Sequence, residues 1–294
     1  MTVQAHHIVP EPPDLENPPY PADIFAGRTV LVSGGGSGMG LAMAKAFAQG
    51  GAKVAVMGRN LERAEAGAAE IAALGATVHA ISADVRDPTA IADAFDEAER
   101  VLGLVTLLAN NAGANFPVLA ENISANAWNA VTRIAIDGTF LCSTEMVRRC
   151  IARGDSGAIV NNSAQYIWTG FPGDAHSAAA KTAQATMTKA MARDWKAYNI
   201  RVNAVAAGFF PHASSTNGDA PDAIAPLQNM IPAGRTGRIR EFGWLSAMTW
   251  SEMTRSRFSI KAAVSAKSAS CLPNTRTSGR KAKAPVSWGR ITRC

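Results

Sequence analysis

The sequence predicts an α/β protein built on one doubly wound parallel sheet with helices on both faces. Three observations carry this. Apolar runs rich in Val, Ile, Leu and Ala alternate with Ala- and charge-rich helical stretches from residue 29 to residue 205. The first run, Thr29-Val30-Leu31-Val32, enters the glycine cluster Ser33-Gly34-Gly35-Gly36-Ser37-Gly38-Met39-Gly40, and that cluster enters a helical stretch at 41–49. The chain has 294 residues, of which 47% are hydrophobic and 18% charged, enough for one large core.

Strand, glycine turn and helix form the first unit of a dinucleotide-binding fold. The glycines let the backbone bend sharply and pass close to a pyrophosphate with no Cβ in the way. The helix points its free N–H groups and its positive end at the phosphates. Ser33, Gly34, Ser37, Gly38, Met39 and Gly40 are the candidate cofactor-binding residues here. The second strand, 53–57, ends at Gly58-Arg59-Asn60. A carboxylate at that end would bind a ribose 2′-hydroxyl and repel a 2′-phosphate. No acid stands at 56–60 and Arg59 does, which favours NADP(H) over NAD(H). The plain alternative for Arg59 is a solvated loop residue.

A helix is expected over 61–74, with Gly75 as its C-cap. The third strand spans 77–81, with His79 in a packing role, and ends at Asp84-Val85, where a carboxylate can accept the adenine amino group. A helix with Pro88 in its first turn runs to 101. The fourth strand, 104–109, leads to Asn110-Asn111-Ala112-Gly113, whose small side chains and amides suit a backbone passing beside a cofactor. Ser124 is placed as the N-cap of a long helix reaching 149, with Trp128, Val131, Ile134, Phe140, Leu141 and Val147 on a core or subunit face. The fifth strand is 158–162. A helix carrying Ser177 and Lys181 spans 175–198, and the sixth strand is 200–205. The Pro-, Gly-, Ser- and Asn-rich stretch 208–236 is expected to be a substrate loop.

The organisation predicted is a Pro-rich arm at 1–23, docked through Ile24 and Phe25, a catalytic domain at 24–250 and a basic tail at 251–294. The tail holds ten Lys and Arg and one acid, Glu252. The net charge of +6 therefore belongs to it, and the remaining chain sums to −3. The basic balance thus gives no reason to expect nucleic acid as a partner. No apolar run is long enough to span a membrane. The four scattered cysteines lack metal-ligand spacing and read as reduced thiols. That cysteine pattern leads us to expect a cytoplasmic protein with no metal site, and no signal-peptide pattern opens the chain.

Ser33 to Gly40, Asp84-Val85, Asn110-Asn111-Ala112-Gly113, Lys181 and Arg201-Val-Asn-Ala-Val205 together resemble the short-chain dehydrogenase/reductase family over about 25–250. The resemblance implies a Rossmann-type sheet, NAD(P)(H) and a homo-oligomer, with Asn111, Gly113, Lys181 and Gly208 near the cofactor. The family's usual acid is missing. Its Tyr falls at Ser177, its Ser near Ala164 with Ser163 adjacent, and its helix Asn at Ala135. Carbonyl reduction needs a phenol of lowered pKa as acid, and Ser177 is a poor substitute.

The departure is similar to that of the 2,4-dienoyl-CoA reductase branch. That branch carries Ser-x-x-x-Lys, a Tyr eleven residues earlier and Asn-Phe after the Asn-Ala-Gly turn. Tyr166 stands eleven before Ser177, and Asn115-Phe116 follows Gly113. The resemblance implies NADPH-dependent reduction of an unsaturated acyl thioester. Tyr166 and Asn115 would hold the thioester oxygen, Lys181 the nicotinamide ribose, and Ser177 would bond near the cofactor. Tyr166 as a loop aromatic packed on Trp168, and Asn115 as a turn cap, are the plain alternatives. Two other functions stay open: a hydroxyl/carbonyl oxidoreductase, and a nucleotide-binding protein without catalysis. The match stops after about 251, where the family's last strand and Asp-Gly-Gly turn have no counterpart, so the final strand region is atypical.

Overall fold

The computed structural model describes residues 17–212, 231 and 233–250. The expectations for 1–16, for most of the 208–236 loop and for the 251–294 tail lie outside the described residues.

Six strands form one parallel sheet: β1 (Thr29–Ser33), β2 (Lys53–Gly58), β3 (Val78–Ser82), β4 (Val105–Asn110), β5 (Gly157–Ala164) and β6 (Ile200–Ala207). The order is β3-β2-β1-β4-β5-β6. Strand order reverses between β1 and β4, the point at which sheets of this kind bind ligands beyond the carboxyl ends of their strands. In register Ser33 lies beside Asn110, and Asn110 beside Asn161, so three strand ends meet at one level.

Strand alternation splits the core into two layers. Val30 and Val32 of β1 with Val54 and Val56 of β2 face one side, against Met43, Phe47 and Ile71. Leu31, Ala55 and Met57 face the other, against Ile91, Phe95 and Met146. Both faces are covered, which is why these strands are nearly continuously apolar. Phe25 is buried against Phe47, their ring centroids 5.3 Å apart, and this docks the end of the N-terminal arm as expected. Tyr20 adds a hydrogen bond from its hydroxyl to the Ala46 carbonyl, 2.8 Å.

Among the described residues the helices are α1 (Gly38–Gln49), α2 (Leu61–Ala72), α3 (Pro88–Leu102), α4 (Ala125–Thr132), α5 (Gly138–Arg153), α6 (Ala175–Asp194) and α7 (Ile239–Met248). Their N-termini are set by side chains. Asn60 caps α2, Asp87 caps α3 ahead of Pro88, and Ser124 caps α4 through the Ala127 N–H.

Two expectations are corrected. The single helix expected from Ser124 to 149 is two helices joined by a π-turn at Arg133–Asp137. Hydrophobic spacing cannot reveal this, because a π-turn adds one residue without ending the helix. Val131, Ile134 and Val147 are core residues, whereas Trp128 and Phe140 are exposed. The helix expected over 175–198 ends at Asp194 and continues as a 3₁₀ turn, Lys196–Tyr198. His79, expected to pack, is half-buried, and its Nε2 meets the Glu97 carboxylate at 2.7 Å.

Candidate active site

The glycine turn is shaped by crowding as much as by torsion. Gly34 and Gly38 have φ of +66° and +53°, values that L side chains rarely adopt. A Cβ on Gly40 would sit 2.1 Å from the Gly34 carbonyl oxygen and 2.4 Å from the Asn111 amide nitrogen. Gly36 and Gly67 press turn against helix: a Cβ on Gly67 would meet the Gly36 Cα at 2.7 Å. No acid stands in the first turn of α1, and Ser37 at its N-cap makes no side-chain cap bond. Free N–H groups, bare backbone and no negative charge fit a pyrophosphate.

Ser33 ties this turn to the next one. Its hydroxyl accepts from the N–H groups of Asn111 and Ala112, each at 3.1 Å. The Asn111 amide nitrogen donates to the Gly34 carbonyl at 3.1 Å, and its oxygen accepts from the Asn162 amide at 2.8 Å. Met39 lies against the same Asn162 amide. Lys181 donates to the backbone carbonyl of Asn162. Ser33, Gly34, Met39, Gly40, Asn111 and Lys181, spread over 149 positions of the sequence, are thus one cluster at the ends of β1, β4 and β5. Burial pushes the Lys181 ammonium down to about 8.

A second cluster sits at the start of α6. The Tyr166 and Ser177 hydroxyls are 2.7 Å apart. Burial raises the Tyr166 phenol above its ordinary value, the bond to Ser177 works against this, and the Asp174 carboxylate adds to it. The Asn115 amide donates to the buried Asp174 carboxylate at 3.1 Å. Two more contacts stitch the Asn-Phe segment to this helix end: the Phe116 and His176 rings at 4.8 Å, and the Val118 N–H to the Gly173 carbonyl at 2.9 Å. Tyr166 and Asn115 are thereby anchored at one helix start, through Ser177 in the first turn of α6 and Asp174 just before it. Trp168 is 64% exposed.

The third cluster lies at the ends of β2 and β3. Asp84 is gripped by the Arg86 guanidinium at 2.5 Å, which holds its carboxyl below the usual range with help from Arg59. Val85 is buried against Gly138, where a Cβ would come within 2.6 Å of its side chain. Arg59 is exposed. Around Gly208, past the end of β6, a Cβ would meet open space. Gly113 has only the Asn111 carbonyl near it, at 3.6 Å.

Reading the sequence missed Asp174, Asn162 and Gln184. Asn162 was placed only as a strand residue. Gln184 was detectable by spacing, since Ser177, Lys181, Gln184 and Thr188 recur at i, i+4, i+7 and i+11 along one helix face.

The model of the family described as short chain dehydrogenase matches residues 28–220. A Bacillus subtilis (strain 168) protein named "Probable 2,4-dienoyl-CoA reductase" is 37% identical over 228 residues, which is 76% of this chain and 90% of the relative. The peroxisomal 2,4-dienoyl-CoA reductase of Mus musculus is 34% identical over 206 residues, 67% of this chain and 70% of the relative. Among solved structures, a short chain dehydrogenase from Bacillus anthracis str. 'Ames Ancestor' superposes with a TM-score of 0.70 at 35% identity, covering 77% of this chain and 90% of the other. The chain belongs to the short-chain dehydrogenase/reductase family of NAD(P)(H)-using oxidoreductases.

Proposed function

We propose that this oxidoreductase uses NADPH to reduce an unsaturated acyl thioester of the 2,4-dienoyl-CoA type. The observation that carries the reading is the 2.7 Å bond between Tyr166 and Ser177, with Asn115 held at the same helix end. The names of the Bacillus subtilis and Mus musculus relatives support the substrate class.

When bound, the reduced dinucleotide supplies a hydride to the δ carbon, and the displaced electron pair moves through the conjugated system to the thioester oxygen. The Ser177 hydroxyl donates to the Tyr166 oxygen, which leaves the phenolic proton free to point at that oxygen. Burial keeps the phenol protonated at neutral pH, so it serves as a donor. An amide nitrogen has two N–H groups. Asn115 gives one to Asp174 and the other to the thioester oxygen. Two fixed donors then meet the charge as it develops. The Cα proton comes from water. Lys181 would hold the nicotinamide ribose, and Arg59, exposed just past the end of β2, would answer a 2′-phosphate. Ser37, Gly38, Met39 and Gly40 hold the pyrophosphate, beside Gly113 and Gly208. Asp84 and Val85 line the adenine end. The described residues contain no helix long and apolar enough to cross a membrane and no His, Cys, Asp or Glu cluster able to hold a metal ion.

The test is NADPH oxidation with 2,4-decadienoyl-CoA beside a 3-ketoacyl-CoA. Activity on the dienoyl thioester alone is expected. Tyr166→Phe and Asn115→Ala should each lose about 100- to 1,000-fold in kcat, the effect of losing one oxyanion donor, while NADPH affinity is retained. Preference for the ketoacyl substrate, or full activity in both variants, would sink the reading.

A further inference from the structure

Lys181 is the one charged member of the cluster at the strand ends, and among the described residues nothing of opposite charge answers it. Among the described residues it forms no ion pair. Its ammonium meets the Asn162 carbonyl and one side chain, the Gln184 amide oxygen at 3.4 Å. Gln184 is 1% exposed. Its nitrogen donates to the Thr139 hydroxyl at 2.7 Å. An ammonium can only donate, so it is the amide oxygen that faces Lys181, and the nitrogen is left to the Thr139 hydroxyl at the start of α5, which can accept. Thr139 is itself buried and follows Gly138, which is packed on Val85. A short rigid relay thus runs from α5 through Gln184 to Lys181.

We propose that Gln184 is a positioning residue for Lys181: its locked amide oxygen favours the charged ammonium and leaves the third N–H for the cofactor. This rests on the reading of Lys181 as the ribose-holding residue. A neutral acceptor suits the task. An apolar side chain would leave burial unopposed and discharge the lysine, whereas a carboxylate would bind the ammonium as a rival to the ribose. The other titratable groups on neighbouring elements do not take its place. Asp174 holds Asn115, Tyr166 holds Ser177, and His176 is buried edge-on to Phe116. Arg133 and Asp137 of the π-turn pair with each other. Cys142 of α5 is buried and pushed up to about 12, and Arg201 of β6 bonds the carbonyls of Thr249 and Trp250. β5 presents Asn161, Asn162 and Ser163, which are neutral.

The sign follows from the chemistry. Lys181 is charged below its midpoint, so NADPH affinity should be full at low pH and fall as pH rises through about 8. The experiment follows Lys181 by NMR of 13Cε-lysine-labelled protein, the resonance assigned by its loss in Lys181→Met. NADPH affinity is titrated over the same pH range. Gln184→Met should lower the lysine midpoint by about one pH unit and weaken NADPH about fivefold at pH 8. Gln184→Glu should raise the midpoint instead. Thr139→Val, which leaves Gln184 in place but unlocks its amide, should move it down by less, and it serves if Gln184→Met fails to fold. A role confined to packing would move stability and leave the midpoint where it is. An unmoved midpoint in folded Gln184→Met, or a shift of the same sign in the Met and Glu variants, overturns the proposal. If instead NADPH affinity is untouched by Lys181→Met, it is the ribose-holding reading that falls, whatever Gln184 does to the titration.

Discussion

The two halves of the sheet solve the same problem by opposite means. Around β1 and β2 the candidate site is built by leaving side chains out. Gly34, Gly36, Gly40 and Gly67 each stand where a Cβ would come within about 3 Å of backbone. Around β4 and β5 it is built by putting polar side chains in. Asn110 donates to Ser143 and to Asn161, both at 2.9 Å. Asn161 donates to Thr188 at 2.8 Å, and Gln184 to Thr139 at 2.7 Å. Ser33 and Asn111 are the seam between the two constructions. On the proposed reading, a phosphate end needs bare N–H groups and space, whereas a reacting end needs charges and donors held at fixed positions.

The glycine half should break most sharply. Gly40→Ala forces a Cβ into the Gly34 carbonyl and the Asn111 amide at once. Neither is a flexible chain end. A loss of about 3 kcal/mol is expected, at the upper end for overpacked sites, together with loss of measurable dinucleotide binding. Gly58→Ala, with open space around it, is the contrasting change and should leave stability within about 0.5 kcal/mol. Urea unfolding and cofactor titration check both. Equal effects of the two substitutions would show that crowding is not what the glycines of the turn relieve.

The amide half should fail through unmet hydrogen bonds rather than clashes. Asn161→Leu keeps the volume close but orphans one N–H of the buried Asn110 and removes the donor to Thr188. A cost of about 1–3 kcal/mol is expected, since a buried polar group left alone bears its full desolvation penalty. A neutral or stabilising Asn161→Leu would mean that the chain of amides contributes nothing to this end of the sheet.

The same contrast explains what could be read in advance. The strand–glycine–helix unit carries a local pattern: the apolar run, the glycines and the helix follow one another within 29–49, so the sequence suffices to place the turn even though Gly67 and Asn111 also press on it. The Ser124 cap, which bonds three residues ahead, was legible for the same reason. The reacting end is not local. Asn115 meets Asp174 across 59 positions and Asn162 meets Asn111 across 51. Spacing on one helix can suggest Ser177 with Lys181, but not that Asp174 holds Asn115 or that Thr139 orients Gln184. The π-turn was invisible for a related reason, since Val131 and Ile134 keep helical spacing across its start while the backbone bonding changes beneath them.

The smallest prediction bears on where the contrast ends. Outside the candidate site the two halves are made alike, and their helix caps show it. Asn60 caps α2 in the glycine half by accepting from the Arg63 N–H at 2.8 Å, and Ser124 caps α4 in the amide half by accepting from the Ala127 N–H at 3.1 Å. Both bonds are exposed, and both relieve one unpaired donor of a first helical turn. Asn60→Ala and Ser124→Ala should therefore each cost about 1 kcal/mol. The two losses should add in the double variant, because the caps share no partner. A markedly larger cost for Ser124→Ala would extend the side-chain-built region beyond β4 and β5 to α4. Near-equal costs confine the difference between the halves to the candidate site itself.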